Sequence, residues 1–363
     1  MGNTASSDPV PQRKTPTLEC GAPHAMDHHD RTGGCWPGRS SNFIRLGIAV
    51  TATAFLGAAA VIACAWRPDA LAALTLIPAW CWPLAGLIST IPIWRIQYRR
   101  LVGSLFVLWM AFAIGWVEDV SSVTRAVLVA VKTQPQPPNP WLRIVTLNCD
   151  NNERCLADLQ RMNPDVVLLQ EAPGRDALAK MTVQLFGDSG SFLAGGDTAI
   201  LARGAMRQSF VDRGSHFAAA TVVLPDGREL RCVSLRLVPP PSRLDFWSGG
   251  FWSDHRDLRN LHRRQLRQIK AHISETPSAA PLLIGGDFNT VGLDRALDEL
   301  RPRLTDAFTT SGTGWGATGT NDWPLFRVDQ VWTDSLFVPT RVFAEKTNAS
   351  DHRMVVCDAG IKN

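Results

Sequence analysis

Charge is scarce in this chain. Asp, Glu, Lys and Arg make up 19% of its 363 residues, below the ~25% of ordinary soluble domains. Tyrosine is almost missing, with one residue against thirteen Trp, so phenol chemistry anywhere but at Tyr98 is excluded. Eight Cys are too few for a disulfide scaffold of this length. An apolar content of 45% excludes a disordered chain. A general basic footprint is also lacking. The net charge is +4, but residues 1–140 hold 11 Lys/Arg against 7 Asp/Glu, and residues 141–363 hold 26 of each. The large C-terminal part therefore shows no broad polyanion-binding surface. Its basic residues are nearly all Arg, which suits bidentate contact with carboxylate or phosphate and equally suits codon bias.

The low charge is concentrated in one place. Residues 1–41 are polar and without periodicity, and are expected to form a flexible tail. Its start, Met1–Ser6, fits an N-myristoylation pattern, and Cys20, His24, His28, His29 and Cys35 are ligand-type residues whose spacing matches no zinc module. Residues 42–120 form a membrane region with three uncharged segments, at about 46–66, 70–94 and 101–117. Spans need ~20 apolar residues, and Trp66, Trp94 and Trp116 stand where interface anchors belong. These features predict three transmembrane helices. Pro78, Pro83 and Pro92 leave the middle one open to a kinked or re-entrant path. Lys and Arg cluster in the tail and in Arg95–Arg100, which puts both in the cytoplasm and the part after residue 120 outside it. Localisation is accordingly multi-pass membrane, with an extracytoplasmic C-terminal domain. A transport role is disfavoured, because no charge lies within the spans.

A Pro-rich linker is expected over residues 121–140, followed by a domain at 141–363. There the pattern reads as strands with interleaved helices. Leu142–Leu147, Asp165–Gln170, Thr198–Ala202, Ala218–Leu224, Leu230–Leu237, Leu282–Ile284, Val328–Trp332 and Met354–Cys357 read as strands, with a hairpin turn at Asp226-Gly227. Residues 254–274 place Leu258, Leu261, Leu266, Ile269 and Ile273 on one helical face. The fold class is mixed α/β.

Polar residues stand at the ends of these strands. Asn148 ends the first and Glu171 follows the second. Asp287 and Asn289 follow Ile284-Gly285-Gly286. Asp329 opens a strand, and Asp351 and His352 precede the last. Such residues can converge on one sheet edge, and oxygen donors of this kind suit Mg²⁺ or Mn²⁺. In this order they resemble the endonuclease/exonuclease/phosphatase superfamily over residues 141–359, through Ile144–Asn148, Pro164–Glu171, Gly286–Asn289, Arg327–Asp329 and Ser350–His352.

The resemblance implies a four-layer α/β sandwich and metal-dependent phosphoester hydrolysis. It implies Glu171 as main metal ligand with Asn148 and Asp351 nearby. Asp287 would orient or deprotonate water, Asn289 would hold a phosphate oxygen, and His352, oriented by Asp329, would contact the phosphate. The expected substrate is a phosphodiester, either nucleic acid or a phospholipid headgroup, with the lipid bilayer as a further partner and no protein partner. A catalytically weak binding or scaffold protein of the same fold is the alternative.

Two positions depart from the family. Arg236 stands where a His is usual, and Gln330 stands where a His often follows the Asp. Arg cannot act as an acid or base. Arg236 is thus a phosphate-binding candidate, or His216 or His255 fills the gap, or activity is weak. The segment Phe246–Trp252 reads as an aromatic insertion that dips into lipid, stacks on substrate or folds back on the domain. The Arg256, Arg259, Arg263, Arg264, Arg267 and Lys270 face reads as solvated, or as a contact for lipid headgroups or nucleic-acid phosphates. Cys149 and Cys155 are open to a bridge or to being buried thiols.

Overall fold

The computed structural model describes residues 37–362, apart from 95–97, 132–140, 213, 215 and 244. The tail with its Cys/His group, the core of the Arg95–Arg100 loop and the Pro-rich stretch at 133–140 lie outside the described residues.

Four helices come first. α1 (Pro37–Val61) runs on through a π-helical turn, Ile62–Trp66. A 3₁₀ segment follows at Asp69–Leu76, then α2 (Cys81–Ser89), α3 (Arg99–Trp116) and α4 (Glu118–Val131). Residues 42–66 and α3 are each long and apolar enough to cross a membrane. The middle segment is not one helix. Asp69–Leu76 and Cys81–Ile93 are bent against each other by 79°, with Pro78 at the break and no N–H there to continue the ladder. Residues 121–131, expected as linker, belong to α4, because the prolines begin only at Pro135.

The rest is two sheets. The strands are β1 (Trp141–Asn148), β2 (Val166–Gln170), β3 (Gly190–Gly195), β4 (Thr198–Arg203), β5 (Ala205–Asp212), β6 (Phe217–Val223), β7 (Glu229–Arg236), β8 (Leu282–Asp287), β9 (Thr305–Asp306), β10 (Asp329–Thr333), β11 (Phe337–Glu345) and β12 (Met354–Ile361). One sheet has the order β11-β12-β1-β2-β4-β3 and the other β5-β6-β7-β8-β10-β9. The helices are α5 (Cys155–Met162), α6 (Arg175–Phe186), α7 (Gly249–Glu275) and the short α8 (Ala307–Ser311).

Burial on both faces explains the continuous apolar runs. In β2, Val166 and Leu168 point into the core between the sheets, while Val167 and Leu169 pack under α5 and α6. In β7, Leu230 and Cys232 enter the same inter-sheet core, while Val233 and Leu235 pack under α7. The result is four layers, helix–sheet–sheet–helix. Burying this much apolar surface contributes roughly 25 cal/mol per Å². Cys149 and Cys155 lie here as free, buried thiols with sulfurs 2.9 Å apart.

Each sheet has one parallel pair at its centre, β1–β2 and β7–β8. The ends of these strands set the site. Gly286 brings β8 against β7: its φ is +155°, and a Cβ would stand 1.9 Å from the Leu235 carbonyl oxygen. No other residue type fits so close to a neighbouring backbone.

Candidate active site

Asn148 (β1), Glu171 (after β2), Arg236 (β7) and Asp287 (β8) close the parallel strands at one edge of the sandwich. Asp329 opens β10 opposite Asp287 in the antiparallel register, and His352 comes just before β12. Glu171 and Asn289 both adopt left-handed backbone, φ 43° and 48°. Non-glycine residues there carry strain that surrounding structure must hold.

One buried amide ties the two sheets together at this edge. Asn148 Nδ2 donates to Glu171 Oε1 at 3.0 Å and to Asp287 Oδ2 at 3.2 Å. Asp287 also accepts from the Asn289 backbone N–H at 2.9 Å and from its Nδ2 at 3.1 Å. Asp287 is fully enclosed. Burial first, and then the neighbouring Asp329 carboxylate, push its carboxyl up to about 7, against the pull of His352. A group at that value is poised to take a proton at neutral pH.

His352 Nδ1 lies 2.8 Å from Asp329 Oδ2. Asp329 is fully buried, and its Oδ1 has no partner among the described residues. Burial alone would lower the imidazole. The Asp329 charge and hydrogen bond, with help from Asp287 and Asp351, outweigh it and raise the group to about 10. His352 is therefore an imidazolium at neutral pH, a cationic donor. Ser350 and Thr318 fix the pair: Ser350 Oγ accepts from the His352 N–H at 3.0 Å and donates to the Asn148 carbonyl at 2.6 Å, and Thr318 Oγ1 accepts from the Asp329 N–H at 3.0 Å. Ligand-type atoms of Asp287, Asp329 and His352 lie within 4.8 Å of one another.

Other residues sit differently from what their motifs imply. The Asn289 amide is engaged by Asp287 and by the Leu237 carbonyl at 2.8 Å. Asp351 is exposed and makes no side-chain hydrogen bond among the described residues. Gln330 is a core residue, bonding the Thr290 carbonyl and the Trp332 indole.

Arg236 is the larger difference. Its Nη2 donates to Glu171 Oε1 at 2.6 Å and its Nη1 to Asp197 Oδ2 at 2.8 Å. Its buried Nε has no partner among the described residues. His216 stands at the margin of this cluster. Its Nδ1 lies 3.9 Å from Asp197, and its carbonyl accepts the Arg236 N–H at 3.0 Å. Sequence reasoning missed Asp197, Ser350 and Thr318 in these roles. The one local signal was Gly195-Gly196-Asp197, a turn between strands.

The helix face with the Arg cluster divides: Arg256, Arg264, Arg267 and Lys270 are exposed, while Arg259 and Arg263 turn toward carboxylates. Arg259 is buried against Asp294 at 3.0 Å, Arg263 pairs with Asp69 at 2.7 Å, and Arg267 pairs with Glu299 at 2.7 Å. Arg259 also donates to the Arg67 and Pro68 carbonyls. The aromatic insertion divides: Phe251 folds into α7, while Phe246 and Trp247 stay exposed at 64% and 79%.

The sequence pattern of the Endonuclease/Exonuclease/phosphatase family matches residues 145–352, more than half of the chain. The chain belongs to that family, whose members are phosphoester hydrolases. Among solved structures, a family member from Bacteroides thetaiotaomicron is similar at 15% identity, covering 63% of this chain and 100% of its own, with a TM-score of 0.50. A mannosyl-6-phosphatase from the same organism shares 14% identity over 61% of this chain and 100% of its own, at 0.48. D. rerio TDP2, solved with a single-strand DNA product, shares 18% identity over 61% of this chain and 100% of its own, at 0.46. No curated protein matches the chain.

Proposed function

We propose that this chain is a membrane-anchored, divalent-metal-dependent phosphodiesterase with an extracytoplasmic catalytic domain. The observation that carries the reading is the buried Asp329–His352 pair set beside Asp287. In this reading Asp287 takes the proton of a water whose oxygen bonds to phosphorus, as the bond to the leaving oxygen breaks. The His352 imidazolium neutralises charge on the phosphate oxygens and gives the leaving oxygen its proton. Asn148 and Asn289 keep Asp287 aimed, and Asp329 keeps His352 charged. Donors directed at developing charge are the largest single contribution in such reactions.

The donor set fits a hard cation. Glu171 has one carboxylate oxygen without a hydrogen-bond partner among the described residues, and Asn148 adds an amide beside it. Glu171 and Asn148 would hold Mg²⁺ or Mn²⁺, with Asp351 at the rim, and the ion would polarise the phosphate.

Contacts between the two parts of the chain support three crossings. Arg67 pairs with Asp298 and Asp69 with Arg263. Glu118 pairs with Arg327 at 2.7 Å, and Ser122 bonds the Gly314 carbonyl at 2.7 Å. Residues 67–69 and 118–122 thus lie on the domain's side. An even number of crossings must separate them, so if α3 crosses, the stretch between Leu76 and Arg99 crosses too. Apolar side chains left exposed on these helices, such as Phe55, Ile88 and Val107, favour lipid around them.

Arg236 on Glu171 favours a second reading, a weakly active binding protein of the same fold. One assay separates the two. The full chain would be offered bis-p-nitrophenyl phosphate, DNA, RNA, sphingomyelin and inositol phosphates, with Mg²⁺, Mn²⁺ or EDTA, beside Asp287→Ala. Metal-dependent turnover lost in the variant supports the enzyme; no turnover on any of them supports the binder.

A further inference from the structure

A cavity of about 130 Å³ lies between the catalytic domain and the segment that leads back into the membrane region. Ala72 and Leu76 of the 3₁₀ segment form one wall, with Leu258 of α7 and Val328 opposite. Asn289, whose amide bonds Asp287, lines the same cavity and is its link to the reacting centre. Its surface is mainly apolar, and the polar groups there are mostly engaged: Arg259 pairs with Asp294, and His262 Nε2 is 2.7 Å from the Val238 carbonyl. One is not. His255 lines the cavity at 5% exposure, and its buried Nε2 has no partner among the described residues. An unpartnered buried polar atom in an apolar cavity calls for a partner, a water or a ligand group.

We propose that this cavity is a subsite for the apolar alcohol portion of the phosphoester, the first carbons of a lipid-type chain entering from the membrane side, with His255 Nε2 available to a polar atom near the ester. The inference rests on the hydrolase and membrane readings above. Its size is decisive for the occupant. A dry cavity of ~150 Å³ holds one benzene, so this one takes a few carbons, and the remainder of a chain must lead outward. Three observations favour an amphiphile over nucleic acid. A wall comes from the membrane region itself. Trp323 (83% exposed) sits in the loop whose Gly319 bridges to His352, and Trp247 stands next to Ser248, the N-cap of α7; such aromatics suit a lipid–water interface. The cationic residue in the cavity lining, Arg259, is held by Asp294, and is not free for a phosphate backbone.

The test uses the full chain in a maltoside detergent with Mn²⁺, and methyl and hexyl p-nitrophenyl phosphate below their own micelle thresholds. Each hydrolysis consumes one water and yields alkyl phosphate and p-nitrophenolate. The hexyl ester is expected to exceed the methyl ester at least ~10-fold in kcat/KM, as for apolar pockets that gain several methylenes. Leu258→Trp, which fills the cavity, should bring the ratio near one, and Ala72→Phe is the second filling variant should the first misfold. Equal rates in the native chain, a ratio kept in a folded filling variant, or preference for DNA over the hexyl ester would each overturn the subsite. Binding of hexyl- and methylphosphonate to Asp287→Ala decides the same point without turnover. A ~10-fold difference in Kd that vanishes with Leu258→Trp supports the subsite even if no ester is hydrolysed, which would then count against the hydrolase reading alone; equal Kd values overturn it.

Discussion

Asp287 and Asp329 are cross-strand partners in the β8–β10 register, yet their carboxylates serve different neighbours. Asp287 is held by the amides of Asn148 and Asn289, and Asp329 is held by His352. Two buried carboxylates so close cannot both be anionic without a compensating charge. His352 supplies that charge for Asp329, and Asp287 is left as the group whose proton affinity rises.

Removing either reacting group is expected to stop hydrolysis. Asp287→Ala and His352→Ala should each lower kcat by ~10²–10⁴, with thermal unfolding still cooperative. Activity within twofold of native in either folded variant would remove that residue from the reaction.

The pH profile of kcat/KM should be bell-shaped. Asp287 must lose its proton, so activity rises as pH passes about 7. His352 must keep its proton, so activity falls as pH passes about 10. Asp329→Asn takes away the charge that raises His352, and the alkaline limb should move down toward the ordinary ~6.5 of histidine. An alkaline limb unmoved in that variant would sever Asp329 from His352.

Metal demand should respond in opposite directions to the two halves of one ion pair. Glu171→Gln should raise the Mg²⁺ concentration for half-maximal activity. Arg236→Gln releases Glu171 Oε1 from a 2.6 Å contact and should lower it. A metal titration on both variants checks this, and parallel shifts would exclude competition between guanidinium and metal.

The seam between the two parts of the chain should be fragile at Arg259. Its side chain is 2% exposed and Asp294 is 5% exposed. Arg259→Met leaves that carboxylate buried and uncompensated, a loss of ~3–5 kcal/mol. Thermal unfolding in detergent should show a clear fall in midpoint, and limited proteolysis should open the chain near Asp69. Unchanged melting would mean that the seam carries little stability.

Orientation is checked by a reporter fused after Asn363. Activity is expected outside the cytoplasm, and activity only inside would reverse the topology.

The site was legible because of how the strands are buried. Strands covered on both faces are unbroken apolar runs, so a polar residue at the end of a run stands out. Asn148, Glu171, Asp287 and His352 were each visible in that way. β3, β5, β9 and β11 were not. β5, for example, is mostly exposed along its length and carries little apolar signal. Helix α7 was legible by its 3.6 periodicity, but its basic face was not, since a charged helix face reads alike whether it meets water or a carboxylate.

By itself the sequence determined where the apolar segments lie, which strands form the buried centre, and which polar residues end them, since these follow from local periodicity and side-chain chemistry. Only the tertiary structure decided what those residues touch. Arg236 meets partners 39 and 65 positions away, and Arg259 meets Asp69 across 190. Burial set Asp287 near 7, and the enclosed Asp329 carboxylate set His352 near 10 against the pull of burial, because the strength of a charge pair depends on the water excluded around it.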